Sequence, residues 1–306
     1  MILCAGESLI DMVPEGATYR PLPGGAVYNT AIALGRMGAG TGYLWPISRD
    51  AFGEMLLRPL AEAGVDTGLC PRSDRLTTLA FVTLTGGEAR YSFYDEGSAG
   101  RMLAAADLPE IPDEVSALFI GGISLVPDPC GAAIEALVER VRHRIPVMLD
   151  PNIRPFFIAD AAAYRQRLDR LFGMVDLVKL SGDDLEWLMP GSSFDEAAAT
   201  ILAQGPRVIF QTGGSAGARA HWSGQPLDAP AMRVEVADTI GAGDTFNAGV
   251  LAALDRAGAL SRAGLDRLTP EVLAQALVLG TRAAAITVSR PGANPPWAHE
   301  LAALPA

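Results

Sequence analysis

VADTIGAGDTFNAGVLAAL, residues 236–254, reads as a strand ending near Asp238, a glycine-rich turn at Gly241-Ala242-Gly243, and a helix whose apolar positions Phe246, Val250, Leu251 and Leu254 share one face. A helix start carries unpaired N–H groups and the positive end of the helix dipole, and glycines let the backbone approach a ligand closely. Gly241, Ala242 and Gly243 therefore form a candidate anion hole for a transferring phosphoryl group. Asp244 stands beside it, placed either to cap the helix or to take a proton from an attacking hydroxyl.

Outward from this stretch, apolar runs alternate with Ala- and Leu-rich segments at helical spacing, which predicts a parallel sheet built from βαβ units. The clearest strands are MILCAG (1–6), ALFIGG (117–122), PVMLD (146–150), LVKLS (177–181) and RVIFQTG (207–213). Helices are expected between them, several ending at glycine, so the fold class is α/β with a mostly parallel central sheet and helices on both faces. Residues 12–23 and 77–94 break that rhythm with β-type alternation, the second as a hairpin turning at Gly86-Gly87. They predict a small β lid inserted into a single domain spanning 1–306.

The 306 residues carry a formal charge of −11, which argues against a nucleic-acid partner because phosphate backbones require a basic face. Any phosphate site must be assembled locally from amides and a few cations. Cys4, Cys70 and Cys130 are dispersed without metal-ligand spacing, and so are His143, His221 and His299. No basic leader precedes the first strand and no apolar run approaches the ~18 residues of a membrane span, so the expected location is the cytoplasm, with no membrane partner. There is no GxxxxGK[ST] run, no protein-kinase motif set, and no GxGxxG after the first strand.

DTIGAGDTFNAG resembles the C-terminal signature of the ribokinase (PfkB) family of carbohydrate kinases, and PGGAVYNTAIALGRMG (23–38) resembles its N-terminal one. The resemblance implies a ribokinase-like fold, with Asp244 as general base and Gly241 to Gly243 as the anion hole. It further implies that Asp11, at the end of a first strand GESLID, binds sugar together with Gly24, Gly25 and Asn29. DPNIRP (150–155) resembles the DxNxR segment of the fructokinase and 2-keto-3-deoxygluconate kinase branches, which offers Arg154 to phosphate or sugar oxygens, or to an ion pair with Asp150.

By the same resemblance, ATP lies along Lys179 to Ser181 and along Thr212, Gly214 and Gly217 of QTGGSAGA. Mg²⁺ bridges the phosphates, with Asp184 reaching it through water; relatives carry Asn and Glu where this chain has Ser181 and Asp184. A monovalent cation, K⁺ in relatives, would sit behind the anion hole near Asp238. Lid aromatics Tyr91 and Phe93 are candidates for packing on the sugar, with Tyr94 a third.

Taken with GESLIDM and DPNIRP, FYDEGSAGRML (93–103) looks most like bacterial fructokinases, so the expected reaction is ATP-dependent phosphorylation of D-fructose at O6. The alternatives are 2-keto-3-deoxygluconate, ribose or a nucleoside as acceptor, or a non-catalytic sugar sensor. Asp95 and Glu96 after the aromatics weigh against an anionic acceptor. A lid apolar on both faces would give a homodimer through the lid, which the alternation leaves open.

Overall fold

The computed structural model describes residues 1–85 and 88–303. Along the chain run β1 (Ile2–Ala5), β2 (Leu9–Glu15), β3 (Thr18–Gly24), α1 (Ala26–Arg36), β4 (Thr41–Leu44), β5 (Ile47–Ser48), α2 (Ala51–Glu62), β6 (Arg72–Ser73), β7 (Leu79–Thr85) and β8 (Glu88–Tyr94). Next come β9 (Ala117–Gly121), α3 (Cys130–Val141), β10 (Val147–Asp150), α4 (Ala161–Phe172), β11 (Leu177–Ser181), α5 (Gly182–Leu188), α6 (Phe194–Leu202) and β12 (Val208–Thr212). The chain closes with β13 (Ala218–Trp222), β14 (Gln225–Ala229), α7 (Ala242–Arg256), α8 (Arg262–Leu265), α9 (Pro270–Val288) and α10 (Ala298–Ala302).

Eight strands form the central sheet in the order β14-β13-β12-β11-β10-β9-β1-β4. From β4 to β12 every pairing is parallel, and β13 and β14 add an antiparallel edge. Every residue of β1, β4, β9 and β10 is buried, so both faces of the sheet are covered. This explains why those strands read as short unbroken apolar runs rather than as alternations.

The carboxyl ends of β1, β9, β10, β11 and β12 open toward one rim, where a parallel sheet places its ligands. A second sheet, β3-β2-β7-β8, stands apart from the first; β2 and β3 reach slightly beyond the predicted 12–23, whereas β7 begins two residues inside the predicted 77–94. The turn expected at Gly86-Gly87 lies outside the described residues.

Three sequence expectations change. Asp11 does not end the first strand: β1 stops at Ala5, the chain bends at Gly6 (φ 156°), and Asp11 lies inside β2 of the small sheet. No strand leads into DTIGAG either. The amides of Ala237 and Asp238 bond the Val288 carbonyl at the end of α9 (2.8 and 3.2 Å), and a segment held on a helix end has no β partner. Finally, α9 has the length and apolar composition of a membrane span, yet it buries Leu273, Ala276, Leu277 and Gly280 and packs on α7 as a core helix.

Candidate active site

Gly241 sets the geometry of the turn. It adopts φ +77° ahead of α7, and a Cβ there would lie 2.9 Å from the Ala293 Cβ, so only glycine fits. Among the described residues, the amides of Gly243 and Asp244 donate to no protein acceptor, as expected in the first turn of a helix. Asp244 is 7% exposed and accepts a hydrogen bond from Asn29 Nδ2 at 2.9 Å. Thr30 Oγ1 donates to the Asp244 carbonyl at 3.2 Å, so adjacent residues of α1 lock both side chain and backbone of the first α7 turn. Burial pushes the Asp244 carboxyl up to about 6, against the Asn29 hydrogen bond.

Lys179, in β11, is buried and places Nζ 3.1 Å from Asp150 Oδ2 at the end of β10. The ammonium also lies against the anion hole, 3.2 Å from where a Cβ on Gly243 would stand. Burial pulls its pKa down, but Asp150 and then Asp184 outweigh that and hold the ammonium above the usual lysine range. Asn247, fully buried one turn into α7, donates to Asp150 Oδ2 at 2.7 Å. The alternative pairing of Arg154 with Asp150 does not form: Asp150 pairs with Lys179, whereas Arg154 is exposed and folds its guanidinium onto the Ile153 carbonyl at 3.1 Å. Arg154 still acts on Asp244 through space, favouring its ionised form.

On the small sheet, Asp11 Oδ2 lies 2.3 Å from where a Cβ on Gly24 would be, and glycine there leaves room for the carboxylate. Asp11 has no protein hydrogen-bond donor among the described residues, and burial raises its pKa to about 6. Gly25 starts α1 at φ 119° against the Glu7 carbonyl. Tyr91 and Phe93 lie on the same sheet face as Asp11 and stack on Phe156 just after DPNIR, with ring centroids 5.5 and 6.3 Å apart. Phe93 also meets Phe157 edge-on at 4.7 Å. Burial and the charge of Asp11 raise the Tyr91 pKa, so the phenol and the carboxylate share one space. Tyr94 points to the opposite face, against Phe81.

Ser181 and Asp184 form a capping box at the start of α5. Asp184 Oδ2 accepts from the Ser181 amide (2.7 Å) and hydroxyl (2.6 Å), and its Oδ1 accepts from the Ile153 amide (2.6 Å). At 1% exposure, Asp184 has no face open to a hydrated metal ion in this conformation. Thr212 pairs in register beside Ser181, and Gly214 and Gly217 bracket the turn that follows. Asp238 bonds the Ile240 amide (3.0 Å) and the Gly292 amide (2.9 Å), tying the DTIG and RPGAN loops together. Asp95, which the sequence reading weighed against an anionic acceptor, is already engaged by protein partners. It is 9% exposed and is spent on Arg101 (3.0 Å), Thr78 (3.1 Å) and Ser98 (3.2 Å) at the base of the small sheet.

Sequence reading missed Asp150, Asn247, Thr30, Glu7 and the Phe156-Phe157 pair. Glu7 is buried and accepts from the Ala26 amide at the start of α1 (2.9 Å) and from the Ser124 amide (3.2 Å), with its pKa pushed up to about 7 by burial. A polar Asn247 on the buried side of a helix is a legible signal; Glu7 beside Asp11 is not.

A buried carboxylate hydrogen-bonded across two helices, a helix start with free amides and a buried ammonium lie together at the carboxyl rim of a parallel sheet, an arrangement chemically suited to phosphoryl transfer. The chain matches the pfkB family carbohydrate kinases over residues 1–300. It is 44% identical over 278 residues to a fructokinase of Rhizobium leguminosarum bv. trifolii, covering 89% of this chain and 85% of that one. The fructokinase of Xylella fastidiosa with bound ATP superposes with a TM-score of 0.90 at 26% identity, covering 98% and 96% of the two chains. The aminoimidazole riboside kinase of Salmonella enterica, complexed with aminoimidazole riboside and an ATP analogue, does so at 0.84 and 25%, covering 98% of each. The chain belongs to the pfkB family of carbohydrate kinases, and is a sugar phosphotransferase of ribokinase-like fold.

Proposed function

We propose that this kinase transfers the γ-phosphoryl group of ATP to O6 of D-fructose, in the cytoplasm where ATP is supplied. The observation that carries the chemistry is Asp244: a buried carboxylate, one hydrogen bond from Asn29, beside the unpaired amides of a helix start. As the C6 hydroxyl oxygen forms its bond to phosphorus, its proton passes to Asp244 while the bond to the ADP oxygen breaks. A base with a pKa near 6 takes that proton more readily than an ordinary aspartate. The Gly241–Gly243 backbone and Lys179 meet the charge on the phosphoryl oxygens.

The sugar would lie between Asp11, Gly24, Gly25 and Asn29, under Tyr91 and Phe93, with Arg154 at its rim and the small sheet acting as a lid. The nucleotide would run along Lys179, Ser181, Thr212, Gly214 and Gly217. Both Asp184 oxygens already accept protein hydrogen bonds, so Mg²⁺ would be carried in on the phosphates, with Asp184 shaping the loop beside it. K⁺ behind the anion hole would depend on the loops that Asp238 ties together. The outer lid face, where Tyr19, Phe81 and Tyr94 pack edge to edge with Tyr94 65% exposed, is the surface on which a second copy of the chain would dock.

Fructose as the acceptor is supported by the Rhizobium relative. An ADP-release screen over fructose, ribose, 2-keto-3-deoxygluconate, adenosine and aminoimidazole riboside tests it. Coupling the product through glucose-6-phosphate isomerase separates O6 from O1 transfer. A better acceptor than fructose, or a product that the isomerase refuses, would overturn the substrate assignment.

A further inference from the structure

Of the 24 Lys and Arg residues in the chain, one is lysine, and that one is Lys179. The sequence uses arginine at every other cationic position, including all the surface ion pairs, yet places lysine where the cation is 3% exposed. Space accounts for this. Nζ sits 3.2 Å from the Cβ position of Gly243 and 3.1 Å from Asp150, which leaves room for a compact ammonium and none for a planar guanidinium.

A buried ion pair adds little to stability because desolvation cancels its attraction, so neither folding nor solubility explains a lone buried lysine. Asp150 is held in turn. Its Oδ2 also accepts from Asn247 at 2.7 Å, its Oδ1 accepts from the Asn152 amide at 3.1 Å, and it is 2% exposed. Asn247 lies on α7, the helix that begins with the anion hole, so one helix carries both the amides and the clamp on the lysine's counter-ion.

We propose that Asp150 and Asn247 are positioning residues which keep the single lysine charged and aimed into the anion hole, so that its ammonium meets the transferring phosphoryl group. The interaction strengthens as charge builds on the phosphoryl oxygens, so it lowers the barrier and leaves sugar affinity alone. This rests on the phosphotransfer reading above and extends it to residues outside contact with either substrate.

Because the lysine is unique, protein grown on lysine labelled with ¹³C at Cε and ¹⁵N at Nζ yields one side-chain signal. Adding the β,γ-imido analogue of ATP with Mg²⁺ should move that signal well beyond the effect of ADP with Mg²⁺, while fructose alone should leave it in place. An unmoved signal, or equal shifts with the analogue and ADP, overturns the proposal. Lys179→Met should lower kcat about 100-fold or more with the fructose KM within about threefold. Asp150→Asn should lower kcat about 10- to 100-fold, again sparing KM, and should bring the lysine titration down in pH. An Asp150→Asn protein with unchanged kcat and unchanged lysine titration removes the positioning role, and so does a loss that appears in KM alone. If the lysine responds to the triphosphate but an acceptor other than fructose is phosphorylated, the proposed substrate fails and this inference stands; no phosphoryl transfer to any acceptor overturns both. Turnover with an unresponsive lysine is the reverse result.

Discussion

At the scale of single residues, the proposed role of Asp244 couples catalysis to stability. Its carboxyl is raised from 3.8 to about 6 by burial, so ionisation opposes folding: the penalty is absent below about pH 4, grows as pH rises through 6, and is complete above. Asp244→Asn should therefore abolish turnover yet stabilise the free protein at pH 8, by on the order of 3 kcal/mol at most, with the gain fading toward pH 4. Thermal melts of the two proteins across that range check it, and a destabilised variant at pH 8 would contradict the buried-charge account. If Asp244 is the base proposed here, the acid limb of kcat/KM should fall near pH 6. Asn29→Ala removes a hydrogen bond that favours the ionised form, so that limb should move to higher pH as the fructose KM rises. The pH–rate profile of the variant reads both effects.

The placement of Asp244 depends on how three helices meet. α7 crosses α9 so closely that a Cβ on Gly249 would lie 2.7 Å from the Gly280 Cα, and α1 bonds α7 through Asn29 and Thr30. A larger residue at this crossing must separate the helices: Gly249→Val should cost about 1–3 kcal/mol in urea unfolding and reduce kcat, because the anion hole rides on α7. α5 shows the opposite balance. Asp184 closes a capping box with Ser181 and pins the Ile153 amide, so Asp184→Ala should cost about 1–3 kcal/mol of stability while the Mg²⁺ dependence of the rate barely changes. A steep rise in the Mg²⁺ requirement, with unfolding unaffected, would restore the metal-side role that the family pattern implies. Ser181 and Asp184 keep the spacing of that pattern, but the shorter acid bonds its own helix start.

For the whole molecule, the small sheet is fastened to the main one at its base and by a stack of rings. Thr77 bonds Asp50, the N-cap of α2, at the base, while Tyr91 and Phe93 rest on Phe156 and Phe157. Phe156→Ala should loosen this closure and raise the fructose KM several-fold, more than it lowers kcat, in steady-state kinetics. The outer face offers Tyr19, Phe81 and Tyr94 to solvent on a chain of net charge −11. If a second copy covers it, Tyr94→Arg should turn a dimer into a monomer in light scattering; a wild-type protein that is already monomeric at micromolar concentration ends that assembly.

Much of this protein was legible in its order of residues, because the features concerned are local. Buried parallel strands announce themselves as short apolar runs, and a glycine turn entering a helix at Asp244 specifies its backbone over a few residues. The pairing of residues distant in the chain was not legible. Asn29 with Asp244, Lys179 with Asp150, and Asn247 behind both are joined only when α1, β10, β11 and α7 converge at one rim, and no periodicity encodes which buried polar group meets which. The resemblance put Asp11 at the end of a first strand, but the chain bends at Gly6 after β1 and Asp11 lies inside a strand of the other sheet. Sequence alone marked Asp244 as a cap or a base; the fold buried it beside an ammonium and an amide donor, where a carboxylate is costly to ionise, and that cost raises its affinity for a proton and suits it to the proposed role of base.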